Sequence, residues 1–411
     1  MQCGLLGRKL GHSYSPQIHQ ALGDYDYCLY EKEPQELEAF LKSGGFAGLN
    51  VTIPYKKDVI PLLDELSPVA KRLGAVNTIV RRQDGSLIGH NTDYFGFRYL
   101  VERSGLTVSG KKVLVLGSGG ASNTAAAVLR ELGAQVVIIS RSGENHYGNL
   151  QLHADASVIV NTTPVGMYPN TGISPIDFGR FPRLEGVLDA VYNPARTQIL
   201  LDAESRGLVA MNGLWMLVAQ AKESAEWFTG EAIPDSRIGQ IHSSLRAQME
   251  NIILIGMPGC GKTTIGRLLA RKTGKQFVDA DDALEARVGR KITDIIPAEG
   301  EAAFRTMETD TLAELGKQSG LVIATGGGCV TQERNYPLLH QNGTILWLTR
   351  DLSKLPTEGR PLSQAGKLQE MFANREPMYA RFADAVIQND GTVDDTLAQI
   401  NAALAKGGER K

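Results

Sequence analysis

The stretch NIILIGMPGCGKTTIGRLLARK, Asn251 to Lys272, runs from an apolar β-branched segment through a glycine loop into an amphipathic helical segment. Within it, Gly256-Met257-Pro258-Gly259-Cys260-Gly261-Lys262-Thr263 fits GxxxxGK[ST] at every fixed position. Glycines in such a loop let backbone N–H groups turn onto phosphate oxygens. The lysine reaches the β- and γ-phosphates, and the hydroxyl at the helix N-terminus ligates Mg²⁺. Gly259, Gly261, Lys262, Thr263 and Thr264 are therefore candidate nucleotide-binding residues, with Thr263 a metal ligand. A strand that ends in such a loop belongs to a parallel α/β sheet.

Working outward, a second stretch follows the same strand–glycine–helix plan roughly 140 residues earlier: KKVLVLGSGGASNTAAAVLREL, Lys111 to Leu132. Two such junctions imply two separate α/β domains. Continuous apolar runs, Val136 to Ser140, Ser157 to Asn161, Leu321 to Thr325 and Thr344 to Leu348, alternate with amphipathic stretches and predict strands buried on both faces. Upstream, GLNVTIP and AVNTIV predict strands with a helix between them, over Lys57 to Leu73. The expected domains are 1–100, 101–246 and 247–411, with a helix near 213–246 returning to the first and the last boundary near Gln248. The fold expected is α/β throughout: an N-terminal α/β substrate domain, a Rossmann-like domain, and a P-loop domain with a parallel sheet.

Composition narrows the function classes. Of 411 residues, 42% are hydrophobic and 21% charged, ordinary globular values that exclude a disordered chain or a rod. The net charge of -2 gives no bulk attraction to nucleic acid or an anionic membrane. The opening MQCGLLGRKLGHSYSP lacks a signal-peptide core, and no apolar run is long enough to span a bilayer. Cys3, Cys28, Cys260 and Cys329 lie far apart without CxxC spacing, against a disulfide framework or zinc site. The expectation is a cytoplasmic protein with small-molecule substrates and no nucleic-acid or membrane partner.

Downstream of the phosphate loop, FVDADDALE ends a strand with Asp279 and Asp281 two residues apart, one suited to Mg²⁺ and the other to a substrate hydroxyl. Taken alone, such a pair is more often a helix cap and a solvated charge. GEAAFRTMETDTL carries Arg305 and Glu308 at i,i+3 spacing, ATGGGCV carries Gly326, Gly327 and Gly328, EGRPL carries Arg360, and REPMY carries Arg375. In order, these pieces resemble shikimate kinase over Asn251 to about Asn401. The resemblance implies that ATP·Mg²⁺ is the nucleotide, with Lys262 and Asp279 at the phosphates and metal. It also implies that Arg305 and Arg375 hold a substrate carboxylate, Asp281 the reacting hydroxyl, Gly327 the substrate through its backbone, and that Arg360 closes over the phosphates from a lid. The lid stretch is shorter than is usual in the family and lacks the arginines that often precede R-P-L.

In the first half, Gly117-Ser118-Gly119-Gly120-Ala121 follows a strand and opens a helix, with Ser122 where a dinucleotide fingerprint has its third glycine. The next strand ends in Ser140-Arg141-Ser142 rather than an acid, which suits a ribose 2′-phosphate and favours NADP, with Glu144 the counter-signal. Ser13 and Ser15 can grip a carboxylate; the alternative is a helix N-cap at Ser15 before Pro16. Asn50, Thr52 and Lys56 follow one strand, while Asn77, Asn91 and Asp93 lie in GAVNTIV and GHNTDYFGF.

As an ordered set, S-x-S-P, N-V-T-x-P-x-K, G-A-V-N-T, N-T-D-x-x-G, NTTPVGM, DAVYNPARTQILL and NGLWMLVAQA resemble shikimate dehydrogenase over Met1 to about Arg246. The resemblance implies a catalytic Lys56–Asp93 pair. It implies that Ser13, Ser15, Thr52, Asn77, Asn91 and Gln220 bind substrate, and that Gly117, Ser118, Gly119, Gly120, Ala121, Arg141 and Gly213 line an NADP site. The family's usual N-R-T-x-x-K is replaced here by Ser140-Arg141-Ser142 with no following lysine. Reduction of a ring ketone needs a cation and proton source at the carbonyl oxygen, which a lysine supplies. An adjacent carboxylate favours the protonated lysine while burial opposes it.

Together the resemblances imply an enzyme of aromatic biosynthesis with two consecutive activities: NADPH-dependent reduction of 3-dehydroshikimate to shikimate, then ATP-dependent phosphorylation of shikimate. Two alternatives stand beside it. One is a kinase fused to a quinate/shikimate dehydrogenase using NAD; the other is a non-catalytic, shikimate-responsive regulator, against which the full set of chemical residues argues.

Overall fold

A computed structural model describes residues 1–11, 13–355 and 365–407, and the strands of these residues form three separate sheets. The first holds β1 (Gln2–Gly7), β2 (Asp26–Glu31), β3 (Gly48–Val51), β4 (Glu65–Leu66), β5 (Thr78–Arg81) and β6 (Leu87–His90) in the order β2-β1-β3-β5-β6-β4. It is mixed: β1 is parallel to β2 and β3, whereas β5 is antiparallel to β3 and β6. The second holds β7 (Lys112–Leu116), β8 (Gln135–Ile139), β9 (Val158–Asn161), β10 (Gly186–Asp189) and β11 (Val209–Met211) in the order β11-β10-β9-β7-β8, all parallel. The third holds β12 (Asn251–Ile255), β13 (Gln276–Asp279), β14 (Leu321–Ala324), β15 (Gly343–Thr349) and β16 (Ala385–Gln388) in the order β13-β14-β12-β15-β16, again all parallel. The α/β class read from the sequence therefore holds.

Strand order fixes where ligands can approach. β7 and β12 each lie inside their sheet with later strands on both sides, so the chain reverses its direction of travel at their carboxyl ends. A crevice opens at such a switch point in parallel sheets. Both glycine loops leave the sheet there.

Two local expectations are corrected. The helix expected over Lys57 to Leu73 is confined to Pro68–Leu73, after a short 3₁₀ turn at Ile60–Leu62 and the two-residue β4. Pro61 and Pro68 cannot donate within a longer helix, and the Ser67 hydroxyl caps the short one by accepting from Ala70 N at 3.3 Å. The run Val136 to Ser140 is not buried on both faces: β8 stands at a sheet edge, and only Ile139 in it is fully covered.

By internal contacts the chain divides into two compact units, Met1–Val165 with Pro175–Tyr192 and Asp202–Ser244, and Gly166–Ser174 with Asn193–Leu201 and Leu245–Lys411. In the first, Leu6, Leu49, Val51, Tyr55, Val76 and Ile79 form one core beside the mixed sheet, and Phe97, Leu100, Val113, Val115, Leu129 and Val160 another beside the parallel sheet. In the second, the five strands are packed through Ile253, Leu254, Ile323, Ile345, Leu346 and Tyr379. The Lys275 ammonium donates to the carbonyls of Ala247, Gln248 and Glu250 at 2.7, 2.9 and 2.7 Å, satisfying carbonyls at a helix end that have no intrahelical donor.

Gly316 lies near the end of the helix Ile292–Lys317, which is broken at Gly300 (φ 85°), and a Cβ there would sit 1.9 Å from the Leu338 carbonyl oxygen. Helix propensity favours alanine over glycine by at most ~1 kcal/mol. Forcing a methyl into a filled contact costs ~1–3 kcal/mol. Gly316→Ala is thus expected to lower the denaturation midpoint of the second unit, followed by Trp347 fluorescence; a raised midpoint would show that this helix contact can open.

Candidate active sites

In the first unit, β3 and the turn after it deliver Asn50, Thr52 and Lys56, and the helix Asp93–Ser104 begins with Asp93. Lys56 Nζ donates to Asp93 Oδ2 at 2.6 Å, with side chains 31% and 19% exposed, so the pair is reachable from solvent but partly enclosed. Asp93 occupies the first turn of its helix, where the peptide dipoles favour a carboxylate.

Beneath this pair lies a buried polar network. Asn77 Oδ1 accepts from Thr92 N at 2.7 Å, and Asn77 Nδ2 reaches Thr92 Oγ1 at 3.0 Å and Gln220 Oε1 at 3.4 Å. The Ser224 hydroxyl meets Asn50 Nδ2 at 2.8 Å, Thr78 Oγ1 at 2.9 Å and Thr92 Oγ1 at 2.9 Å, and donates to Gln220 O at 2.9 Å. Tyr27 donates its hydroxyl to Asn50 Oδ1 at 2.7 Å and stacks on His19 with ring centroids 4.1 Å apart. Burial pushes the His19 imidazole down to about 3, so it is neutral. Asn91 is buried, donating to Ala75 O at 2.9 Å, and its Oδ1 has no partner among the described residues.

The expected residues thus separate. Lys56 and Asp93 are paired, and Asn77 and Gln220 touch each other and share Thr92, the residue before Asp93. Ser15 N donates to Ser13 Oγ at 3.2 Å, but Ser15 is the first residue of the helix Ser15–Leu22, whose N-cap is Tyr14 without a side-chain cap bond, so Ser15 is not the cap the alternative expected. Thr52 is anchored by its backbone, N to Leu6 O at 2.9 Å. Thr78, Thr92, Ser224 and Tyr27 were missed. Only Thr78, a hydroxyl leading the apolar run TIV, carried a local signal; Ser224 sits among Lys222, Glu223 and Glu226, and Thr92 and Tyr27 in polar surroundings.

After β7, Gly117 has φ 112° and would place a Cβ 3.0 Å from Thr162 Oγ1. Gly119 and Gly120 face open space, and the helix Gly120–Glu131 has no side-chain cap at its N-terminus. Free N–H groups beside open space fit the pyrophosphate of a dinucleotide. Ser122 is buried and donates to Gly117 O at 2.7 Å, closing the turn where the fingerprint has glycine. Ser118 and Ala121 flank the loop and Arg141 is exposed at the end of β8. Gly213 is buried, and a Cβ on it would meet Ala190 O at 2.1 Å, so close backbone packing is sufficient reason for glycine there.

In the second unit, the phosphate loop has positive φ at Gly256, Gly259 and Gly261 (142°, 85° and 103°), conformations only glycine adopts cheaply. The buried Lys262 ammonium donates to Gly256 O at 2.8 Å and Met257 O at 3.1 Å. Thr263 donates to Asp279 Oδ2 at 2.9 Å, and Asp279 Oδ1 accepts from Asp281 N at 3.1 Å. A hydroxyl beside a carboxylate at this loop is the oxygen-donor set that suits Mg²⁺, which usually takes few protein ligands and completes its shell with phosphate and water. Thr264 follows in the first turn of the helix Lys262–Thr273.

The three glycines after β14 each answer a different neighbour. A Cβ on Gly326 would lie 2.8 Å from both Asp281 Oδ1 and Glu308 Oε1; on Gly327, 2.7 Å from Pro258; on Gly328, 2.2 Å from an Arg305 nitrogen. The loop therefore lets two carboxylates and a guanidinium converge beside the phosphate loop. Arg305 donates to Glu308 at 2.8 Å and to Glu301 at 3.0 Å. Burial, then the Asp279 and Glu308 carboxylates, push the Asp281 carboxyl up to about 6. Burial likewise raises Glu308 against the pull of Arg305. Arg375 donates to Gly327 O at 3.2 Å, beside the buried Tyr379 hydroxyl, which donates to the same oxygen. Arg360 lies outside the described residues. Cys260 is fully buried, which leaves its thiol out of reach of a solvent oxidant.

Ser224→Ala removes the hydroxyl on which Asn50, Thr78 and Thr92 converge. Asn50, Thr78 and Thr92 keep longer bonds to one another, so the loss is the net value of the Ser224 bonds, about 0.5–1.5 kcal/mol. Chemical denaturation should report a first unit destabilised by that amount, and an unchanged midpoint would show that the network carries no stability.

Residues 258–405 match the family model described as shikimate kinase, and residues 5–79 that of the shikimate dehydrogenase substrate binding domain. The shikimate dehydrogenase (NADP(+)) of Clostridium perfringens is 36% identical over 267 residues, which cover 60% of this chain and 98% of that protein. The crystal structure of shikimate dehydrogenase 1 from Peptoclostridium difficile is similar with a TM-score of 0.55 at 37% identity, over 60% of this chain and 97% of its own. A quinate dehydrogenase from Corynebacterium glutamicum in complex with NAD is similar with a TM-score of 0.55 at 30% identity, over 59% of this chain and 99% of its own. With the Lys56–Asp93 pair in its first unit and the phosphate loop in its second, the chain belongs to the shikimate dehydrogenase family and carries a shikimate kinase domain after it.

Proposed function

We propose that the first part of the chain reduces 3-dehydroshikimate to shikimate with NADPH. The second part then phosphorylates the hydroxyl so formed with ATP, giving shikimate 3-phosphate. The observation that carries this reading is the presence in one chain of the 2.6 Å Lys56–Asp93 pair and of Lys262, Thr263 and Asp279 gathered at one phosphate loop. Two chemistries on one chain gain a reason when the product of the first is the acceptor of the second.

NADPH, when bound, supplies a hydride to the ring carbonyl carbon. The chain's task is the charge that builds on the carbonyl oxygen: Lys56 donates a proton there, and Asp93 holds the ammonium in place. Ser13, Ser15, Thr52, Asn77, Asn91 and Gln220 bind the acid and its hydroxyls. The network through Thr92 and Ser224 locks the rotamers of Asn77 and Gln220. Gly117 to Ala121 hold the pyrophosphate, and Arg141 the 2′-phosphate.

In the kinase domain, ATP·Mg²⁺ supplies the phosphoryl group, with Thr263 and Asp279 as the protein's ligands to the ion. Lys262 balances charge on the phosphates, Arg305 and Arg375 fork onto the acceptor's carboxylate, and Asp281 accepts the proton of the reacting hydroxyl. The Gly327 backbone borders the acceptor. Glycine at 328 leaves the Arg305 guanidinium its room.

A second reading, NAD-linked oxidation of quinate or shikimate, is favoured by two observations: the likeness to the Corynebacterium glutamicum protein, and Ser140-Arg141-Ser142 with no lysine after it. Comparing NADPH with NADH and shikimate with quinate separates the two readings; NADPH and shikimate are expected to be preferred.

Lys56→Ala is expected to lower reduction by about 10²–10⁴-fold, the usual contribution of a positioned acid, while phosphorylation of added shikimate stays intact. Lys262→Ala is expected to do the reverse. Loss of both activities from either change would contradict two independent sites.

A further inference from the structure

Asn389 follows β16 and belongs to none of the motifs that identify the kinase domain. Its Nδ2 donates to the Cys260 carbonyl, inside the phosphate loop, at 2.7 Å. Its Oδ1 accepts from Thr396 Oγ1 at 2.9 Å, and its backbone N donates to Thr349 O at 2.9 Å, so the side chain is held at both ends. The amide also lies directly over Gly261, where a Cβ would come within 2.5 Å of Asn389 Nδ2. Glycine at 261 therefore serves two needs, the positive φ of 103° and the approach of this amide.

The peptide joining Cys260 to Gly261 is trans, the cis bonds of the described residues all preceding proline. In a trans peptide the carbonyl and the next N–H point in opposite directions. Fixing the Cys260 carbonyl toward Asn389 thus fixes the Gly261 N–H away from it. We infer that Asn389 is a positioning residue of the nucleotide site: by anchoring this peptide plane from behind, it aims the Gly261 N–H at the phosphates of the bound nucleoside triphosphate. This rests on the kinase reading above. A phosphate cradle works through N–H groups already oriented before the ligand arrives, since reorientation on binding weakens the complex.

Asn389→Asp tests it. The substitution keeps the shape and the acceptor for Thr396 but has no donor for the Cys260 carbonyl. Asn389→Ala removes both bonds. The readouts are the Kd for ATP·Mg²⁺ and the KM values for ATP and shikimate, with reduction by the first unit as the control for an intact protein. Both variants should bind ATP about three- to tenfold more weakly, the loss expected of one hydrogen bond, with the KM for shikimate unchanged. Because the carboxylate of Asn389→Asp also repels the phosphates, the deciding variant is Asn389→Leu, close in size, uncharged and without a donor: a purely space-filling role would leave it at the wild-type Kd, and that result would overturn the inference. Failure of the wild-type protein itself to bind ATP would overturn the kinase reading and the inference with it.

Discussion

A parallel strand buried on both faces has no room for a polar side chain along its length, so polar chemistry collects where the strand ends. That constraint organises both sites. Thr52 follows β3, with Asn50 one residue before its end, the Gly117 loop leaves β7, and Thr162 follows β9. In the second unit the Gly256 loop leaves β12, Asp279 ends β13, Gly326 to Gly328 follow β14, and Asn389 follows β16. In each sheet, strands rich in Ile, Val and Leu deliver these groups to the strands' carboxyl ends, where helix N-termini supply oriented N–H groups. The fold and the chemistry depend on the same apolar runs.

Such an end also gathers charge that burial makes costly. Around Gly326 and Gly328, Asp281, Glu308 and Arg305 converge, and burial raises both carboxyls. The cluster is tolerable because Arg305 is forked between Glu308 and Glu301. Removing one partner of such a group leaves an uncompensated charge, which is worse than having neither. Glycine is the residue that permits the crowding, and three adjacent glycines are explained by three different neighbours rather than by flexibility. The network behind the Lys56–Asp93 pair is built without charge: Asn50, Asn77, Thr78, Thr92 and Ser224 satisfy one another, and the charged pair itself is partly exposed.

Much of this was legible in the sequence, for reasons that also mark the limit. Glycine loops after apolar runs are local signals, so the α/β class and both junctions could be read directly. Ser122 standing in for a glycine was readable from its small size, though its hydroxyl bond to Gly117 O was not. The hydroxyl network was not, since Thr78, Thr92 and Ser224 come from three distant elements, and Thr92 and Ser224 are unremarkable where they stand. Asn389 was missed for the same reason, being 129 residues from the carbonyl it holds. The helix expected over Lys57 to Leu73 failed because Pro61 and Pro68 interrupt it, and the two-sided burial expected of β8 failed because strand order, which decides which strand is an edge, is not written in any single strand.

The most direct test of two consecutive activities is product analysis in one vessel. The purified full chain would receive 3-dehydroshikimate, NADPH and ATP·Mg²⁺, with the products identified by mass spectrometry. Shikimate 3-phosphate, formed only when both cosubstrates are present, is the predicted result. Accumulation of shikimate without its phosphate, or an untouched ketone, would contradict the account and would show which of the two sites was misread.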